Sequence, residues 1–279
     1  MLIQDNTTLQ KFVPNTLKAV TGESSLFDKI APQLALSEQW LTSTFLSEKV
    51  RDALTEDNAI LQYARMAIAA DAMLHAVPQL DLVLTSNGFG IVSTSAIAPA
   101  SKERIERLLA ALEKQRDDAL AVLLPLLAAN AAWVDSSPYE YFAATLFPML
   151  DIVTTLGYND HIWQRYQEIH AQLLPIEQRL AADHFSPELM DYLRRVAIRS
   201  EWSNTPDSAK YQNLYRRITS IEFSILRIGE YPMPSITDAV NYIRSCAATV
   251  FPLWHTSDTA KLYGMKNYQN KKGSAGYFF

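Results

Sequence analysis

The chain has 279 residues, of which 48% are hydrophobic and 20% are charged, with a formal net charge of -5. A chain of this length buries enough surface to fold without disulfides or metals, and its composition excludes intrinsic disorder. The mild acidity also excludes the basic surface that a nucleic-acid-binding protein needs, so we expect no nucleic-acid partner.

The beginning of the chain has no targeting signal, and no segment of the sequence fits a membrane span. Residues 1–12, MLIQDNTTLQKF, lack the apolar stretch of a signal peptide. The most apolar run, residues 119–134, is too short for a bilayer and contains Pro125 and Asn130. Cys246 is the single cysteine and is expected to be a small buried hydrophobe on a helix. These features predict a soluble cytoplasmic protein without a membrane partner.

Helix-capping residues recur along the chain and predict an all-α fold, which the scarcity of glycine also favours. Ser25 with Asp28 and Ser235 with Asp238 have capping-box spacing, and the segment 137–140, Ser-Pro-Tyr-Glu, adds a proline at the first helical position. Periodic apolar residues follow these starts. Helices are predicted near residues 24–46, 48–54, 56–76, 101–129, 137–156, 160–184, 187–201, 206–228 and 236–255.

One segment has a strand pattern instead. Residues 81–94, DLVLTSNGFGIVST, place β-prone residues on both sides of Asn87-Gly88, a dipeptide that suits a type I′ turn. We predict a single β-hairpin inserted between two helices. Because an isolated hairpin is marginal in water, its apolar side must rest on helices or on a partner.

An internal duplication is predicted from the match of residues 27–54 to residues 166–193 without gaps. The identical pairs are Ile30/Ile169, Gln33/Gln172, Leu34/Leu173, Glu38/Glu177, Gln39/Gln178, Leu41/Leu180, Ser47/Ser186, Asp52/Asp191 and Leu54/Leu193. Amphipathic helices resemble one another, so chance similarity is the alternative. The predicted domains are a helical bundle with the hairpin (1–134), a second bundle (135–257) and a basic, aromatic-ended tail (258–279).

The residue types that carry chemistry form no recognisable catalytic or metal-binding motif, so we expect neither an enzyme nor a cofactor. None of the five histidines is in the Glu-x-x-His spacing of di-iron bundles. Asp71 and His75, four residues apart on one predicted helix, are the nearest to an acid–base pair. We interpret them as a structural contact because no third group orients the histidine. Arg194 and its basic neighbours are expected to lie on solvated helix faces.

The tail is the strongest candidate for a contact element. From Lys261 onward it carries four lysines and no acid, and it ends in Tyr277, Phe278 and Phe279. Three consecutive aromatic residues favour docking on this chain or on a neighbour over exposure to water. The candidate interaction residues are therefore these three and Phe89 of the hairpin.

The segments LVLTSNGFGIVS (82–93), IAPASKERIERL (97–108) and NKKGSAGYFF (270–279) resemble a group of uncharacterised helical proteins encoded in phages and prophages of gut anaerobic bacteria. The resemblance implies a virion or virion-assembly component near the head–tail junction, and it carries over no catalytic residue. The resemblance therefore adds the virion to the cytoplasm as an expected location of the protein.

Three functions follow from the sequence. The leading hypothesis is a non-enzymatic structural or assembly protein that contacts other proteins, either copies of itself or other virion proteins. The second is a helical module that binds a small molecule or a peptide between its two bundles, and the third is an enzyme with an unrecognised site that includes Asp71 and His75. A deep pocket with converging polar groups favours the second or third.

Overall fold

The fold is all-α, as predicted. A computed structural model describes residues 1–13, 25–80, 83–85, 88–90, 101–134, 136–204 and 207–264. Its α-helices are α1 (Asn6–Phe12), α2 (Leu26–Leu41), α3 (Glu48–Asp52), α4 (Ala59–Leu80), α5 (Lys102–Ala128), α6 (Ser137–Phe142), α7 (Asp151–Thr155), α8 (Ile162–Leu180), α9 (Pro187–Arg199), α10 (Ser208–Ile228), α11 (Met233–Ser245), α12 (Pro252–His255) and α13 (Asp258–Gly264). Two π-helices, Thr42–Leu46 and Ala181–Phe185, and a 3₁₀-helix, Trp202–Asn204, complete the helical elements of these ranges.

Two three-residue strands lie within the segment where a hairpin is predicted. β1 (Val83–Thr85) and β2 (Gly88–Gly90) pair antiparallel, with Leu84 opposite Phe89 and Thr85 opposite Gly88. This register places Gly88 in a strand rather than at the centre of the turn, where the Asn87-Gly88 dipeptide was predicted. The residues that flank these strands lie outside the described residues, so the rest of the predicted hairpin stays a prediction.

The chain divides into two compact units, Met1–His170 and Ala171–Phe279. Residues 135–170, which were assigned to the second bundle, therefore belong to the first unit. Along this segment α6 follows directly on the turn at Trp133, whose side chain is fully buried. The interior position of this indole is one reason why the segment packs with the residues that precede it.

Helix α4 is the central helix of the first unit. It packs against both α2 and α5, and its buried residues occupy several faces rather than one. Many of them are alanines, including Ala64, Ala67, Ala69, Ala70 and Ala72. Small side chains let neighbouring helices approach closely on each side, so an alanine-rich helix suits a central position.

Some predicted caps are confirmed, whereas others are displaced. Ser25 and Asp28 form a complete capping box at α2. At α6 the N-cap is Ser136, whose hydroxyl accepts from the Tyr139 backbone N–H, so the predicted cap Ser137 is instead the first helical residue. Ser235 is not a cap, because α11 already begins at Met233.

Two predicted helices are interrupted. The predicted helix 137–156 ends at Phe142 and resumes at Asp151, with Pro148 in the gap. The predicted helix 236–255 ends at Ser245, and Pro252 begins the short α12. A proline lacks a backbone N–H, so it is tolerated best in the first turn of a helix. Pro125, in contrast, lies inside the continuous helix α5.

The second unit buries one face of each of its longer helices. Leu189 and Leu193 of α9, Leu214 of α10 and Ile243 of α11 are fully buried. Cys246 lies at the C-cap of α11 and is half-buried, so the prediction of a buried cysteine inside a helix is wrong. The cysteine is beyond the last helical turn, where the apolar periodicity of α11 no longer determines burial.

Candidate functional site

A π-helix at the end of α2 lines a cavity of the first unit. In Thr42–Leu46 the helix widens, and the backbone N–H of Ser47 donates to the carbonyl of Thr42 at 2.8 Å, five residues back. Ser47 then adopts φ 69° and ψ 155°, which turns the chain sharply. Its hydroxyl accepts from the backbone N–H of Val50 and begins α3. Single π-turns of this kind are frequent at functional sites.

The indole of Trp133 holds this π-helix in place. Its Nε1 donates to the carbonyl oxygen of Phe45 at 2.5 Å, a group that the turn at Ser47 removes from the regular helical pattern. The Phe45 ring packs at 4.7 Å from Trp163 and 5.3 Å from Phe142, measured between ring centroids. All four aromatic side chains are buried, so the π-helix rests on a rigid aromatic cluster.

The cavity beside the π-helix has a volume of about 920 Å³ and is half-enclosed. Residues 132, 134 and 136–138 and three residues of α3 line it as well. None of the described lining residues is aromatic, and most carry hydroxyl, amide or charged groups. They are Met1, Ala35, Glu38, Gln39, Thr42, Ser43, Ser47, Glu48, Lys49, Arg51, Ala132, Val134, Ser136, Ser137 and Pro138.

Charges of both signs line the cavity. Glu38 accepts from the backbone N–H of Leu2 at 2.6 Å, and Arg51 donates to Asp52 at 2.8 Å. Within the described residues, Glu48 and Lys49 are exposed and form no ion pair within 4.0 Å. The Glu48 carboxylate and the Lys49 ammonium group therefore line the cavity without an ion-pair partner in the described residues. They can pair with a ligand that carries both a positive and a negative charge.

The second unit repeats the local geometry of the π-helix. The π-helix Ala181–Phe185 is followed by Ser186 at φ 65° and ψ 144°, and the Ser186 hydroxyl accepts from the backbone N–H of Leu189. The indole Nε1 of Trp254 donates to the carbonyl of His184 at 2.8 Å. His184 and Phe45 occupy equivalent positions in the alignment of residues 27–54 with 166–193. The same turn and the same indole contact thus occur twice in the chain.

Asp71 and His75 do not form an isolated acid–base pair. Asp71 accepts from the Ser37 hydroxyl at 2.7 Å and lies 3.4 Å from Nη1 of Arg116. His75 Nε2 is 3.6 Å from the same carboxylate, and the His75 side chain is 67% exposed. These groups line a smaller cavity of about 430 Å³. The contacts hold Asp71 in a fixed structural position and leave the histidine only loosely associated.

Arg116 is the centre of a largely buried ionic network that no sequence pattern predicts. Besides Asp71, it contacts Asp117 at 2.9 Å and Glu113 at 3.5 Å. Asp117 also accepts from the backbone N–H of Trp163 at 3.3 Å and so connects α5 to the start of α8. The sequence Arg116-Asp117-Asp118 does not indicate which aspartate belongs to the network. The two differ only in burial, since Asp117 is 3% exposed and Asp118 is exposed.

Two histidines of the first unit have shifted pKa values. A hydrogen bond to Glu113 at 2.8 Å raises the pKa of His161 above its ordinary value. Burial lowers the pKa of His170, whose ring stacks on Tyr141. Across the described residues, no group of three or more His, Cys, Asp or Glu side chains is placed to hold a metal.

The predicted interaction residues are outside the part of the molecule whose side chains are described. Phe89 belongs to β2, where only the backbone is described, and Tyr277, Phe278 and Phe279 lie beyond residue 264. The cavity residues, in contrast, were not predicted as a site. Their one sequence signal was that Glu38 and Ser47 are identical to Glu177 and Ser186 in the match of residues 27–54 to residues 166–193.

A family model described as "Family of unknown function (DUF6712)" matches residues 14–143, just under half of the chain. No curated protein and no solved structure matches this sequence. No helix within the described ranges is long and apolar enough to cross a membrane. Apart from Met1, every residue that lines the 920 Å³ cavity lies inside the matched segment, so the chain is similar to this family in the region that contains the candidate site.

Proposed function

We propose that the protein is a non-enzymatic assembly protein that binds a polar peptide segment of a partner protein in the π-helix cavity of its first unit. The proposal thus combines the protein contacts of the first hypothesis with the peptide binding of the second. The observation that carries the proposal is the cavity of about 920 Å³ itself, with its hydroxyl groups and its charges of both signs. Its size is in the range of ligand-binding pockets, about 300–1,000 Å³.

The chemistry of the lining favours a peptide segment over a drug-like small molecule. Small-molecule pockets are lined mainly by apolar and aromatic side chains, and none of the described lining residues here is aromatic. A peptide backbone offers both donors and acceptors. The Ser43 and Ser136 hydroxyls already donate to the carbonyls of Trp40 and Trp133, so they can accept from peptide N–H groups, whereas Ser137 can donate to a peptide carbonyl. Glu48 and Lys49 would pair with oppositely charged side chains of the same segment.

A cavity-filling variant tests the proposal. Peptides selected from a displayed random library on the full-length protein should bind the wild type and lose binding when Ser43→Trp fills the cavity. Ser245→Trp is the matched control, because both serines are exposed and donate to a carbonyl three residues back. We expect the control to bind like wild type.

The alternative outcomes are distinct. Selected peptides that bind Ser43→Trp as well as wild type would contradict the proposed site. Suppose that a screen finds only apolar small molecules that bind the wild type, and that these lose binding in Ser43→Trp. This result would favour the small-molecule module of the second hypothesis. Thermal unfolding of each variant shows whether the substitution has preserved the fold.

We propose that the partner is another virion protein or a second copy of this chain. The resemblance of residues 82–93, 97–108 and 270–279 to phage-encoded proteins supports this assignment, as does the aromatic end of the tail. Deletion of residues 270–279 should abolish self-association if the tail binds a second copy. Sedimentation that shows the same mass before and after the deletion would restrict the partner to other proteins.

We also propose that the two π-helix segments arose by internal duplication. The repeated serine conformation and the paired indole contacts of Trp133 and Trp254 support it. A chimera in which residues 181–186 replace residues 42–47 should fold, because both segments provide the same backbone geometry. The same chimera with alanine in place of its serine is the control and should be less stable.

A further inference from the structure

Charged side chains from three helices meet in the interior of the second unit. Glu177 of α8 and Glu222 of α10 are both 0% exposed. Arg194 of α9 donates through Nε to Glu177 at 2.8 Å and through Nη1 to Asp191 at 2.6 Å, near the surface. This arrangement corrects the expectation that Arg194 lies on a solvated helix face, since its side chain is only 14% exposed.

Glu222 is the unsatisfied member of this cluster. Neither of its carboxyl oxygens has a hydrogen-bond partner within the described residues. Buried polar groups are nearly always paired, so an orphaned carboxyl calls for a physical explanation. The single guanidinium is already shared by Glu177 and Asp191, which leaves no cation to neutralise a second buried carboxylate. A buried carboxyl in this situation keeps its proton.

We propose that Glu222 is a proton-binding site that controls the packing of α8, α9 and α10. With the proton bound, the cluster contains one buried carboxylate and one guanidinium, and the second unit stays closed. Loss of the proton places two buried carboxylates beside one guanidinium and opens the unit. The proposal concerns the second unit and is independent of the cavity in the first.

No other charged group in the described residues compensates for this charge. On α11, which packs against α10, Asp238 pairs with Arg217 at the surface. On α10 itself, burial raises the pKa of Tyr211 to about 12, so this side chain stays neutral. Burial first and the neighbouring Glu177 second raise the pKa of Glu222 well above its ordinary 4.5, whereas Arg194 opposes them.

The direction of the pH effect follows from this shift. The folded protein holds the Glu222 proton more tightly than the unfolded chain does. Its contribution to stability is therefore fully present below pH 4.5, the ordinary value, and is lost as the pH rises through the folded-state pKa. Within that window, each pH unit lowers the ratio of closed to open second unit by about tenfold.

Hydrogen–deuterium exchange of the full chain, from about pH 5 to about pH 9 and corrected for intrinsic exchange, tests the proposal. Protection of α10 in the wild type should fall with rising pH, by up to about tenfold per pH unit. Glu222→Gln should remove this slope, because the amide is neutral at every pH. Glu188→Gln, at an exposed position on α9, is the control and should keep the wild-type slope.

Two results would overturn the proposal. One is α10 protection in the wild type that does not change across the pH range, a measurement that needs no variant. The other is a slope in Glu222→Gln equal to that of the wild type. If Glu222→Gln does not fold, the wild-type slope is decisive by itself. Protection of α4 in the first unit should not follow this slope and serves as an internal reference.

Discussion

Trp133 and Phe45 are joined by a hydrogen bond of 2.5 Å from the indole Nε1 to the backbone carbonyl oxygen. The contact spans 88 positions of the sequence and is completely buried. It satisfies a carbonyl that the π-helix cannot satisfy, and so it fixes the wall of the candidate cavity. The paired contact between Trp254 and His184 performs the same task in the second unit.

Trp133→Phe should lower the free energy of unfolding by about 1–3 kcal/mol, because it leaves the buried Phe45 carbonyl unpaired. Urea unfolding monitored by circular dichroism measures this loss. Trp202→Phe is the comparison, since Trp202 is half-buried and packs at a tilt against Tyr215, with ring centroids 5.0 Å apart, without an indole hydrogen bond in the described residues. Equal losses in the two variants would contradict the role assigned to the Trp133 hydrogen bond.

Two substitutions of Ser47 should change stability in opposite directions. Its φ of 69° with ψ of 155° costs about 1–3 kcal/mol for a residue with a Cβ, whereas glycine adopts it freely. Ser47→Gly should therefore raise the midpoint of unfolding, since glycine at an N-cap costs only a few tenths of a kcal/mol. Ser47→Ala keeps the strain and loses the cap, so it should destabilise by about 0.5–2 kcal/mol. Shifts of the same sign would refute this account of the turn.

Asp71→Asn should destabilise the protein by about 1.5–3 kcal/mol, because Asp71 contributes a charged hydrogen-bond acceptor to Ser37 and Arg116 in the interior. Asp118→Asn, which affects only an exposed pair with Lys114, should cost about 0.5 kcal/mol or less. Thermal unfolding of both variants separates the buried network from surface charge. A negligible effect of Asp71→Asn would mean that Asp117 and Glu113 neutralise Arg116 without it.

The two histidines of the first unit that have shifted pKa values should titrate on opposite sides of 6.5, the ordinary value. Glu113 stabilises protonated His161, so this pair contributes stability below pH 6.5 that is lost as the pH rises through the folded-state pKa of His161. Burial disfavours protonated His170, so acidification below pH 6.5 lowers stability as the pH falls through the pKa of that ring. NMR titration of the ring protons measures both values. Glu113→Gln should lower the pKa of His161 and leave that of His170 unchanged.

The amino-acid sequence by itself determined the fold class and most helix positions, because apolar periodicity and capping residues act locally. The capping box of Ser25 and Asp28 is an example, since its hydrogen bonds join residues three positions apart. The match of residues 27–54 to residues 166–193 also paired Ser47 with Ser186, although it did not predict their backbone conformation. A positive φ at serine has no local sequence signal, because the rest of the structure must hold the residue there.

Only the tertiary structure decided where the candidate site lies. The cavity depends on an indole that reaches the Phe45 carbonyl from 88 residues away, and no local pattern announces such a contact. No local pattern predicts the burial of Glu222 either. In the sequence it resembles the other acidic residues, and only the folded second unit buries it completely. Charge and capping are properties of neighbouring residues, whereas burial and hydrogen-bond satisfaction depend on segments that are distant in sequence and adjacent in space.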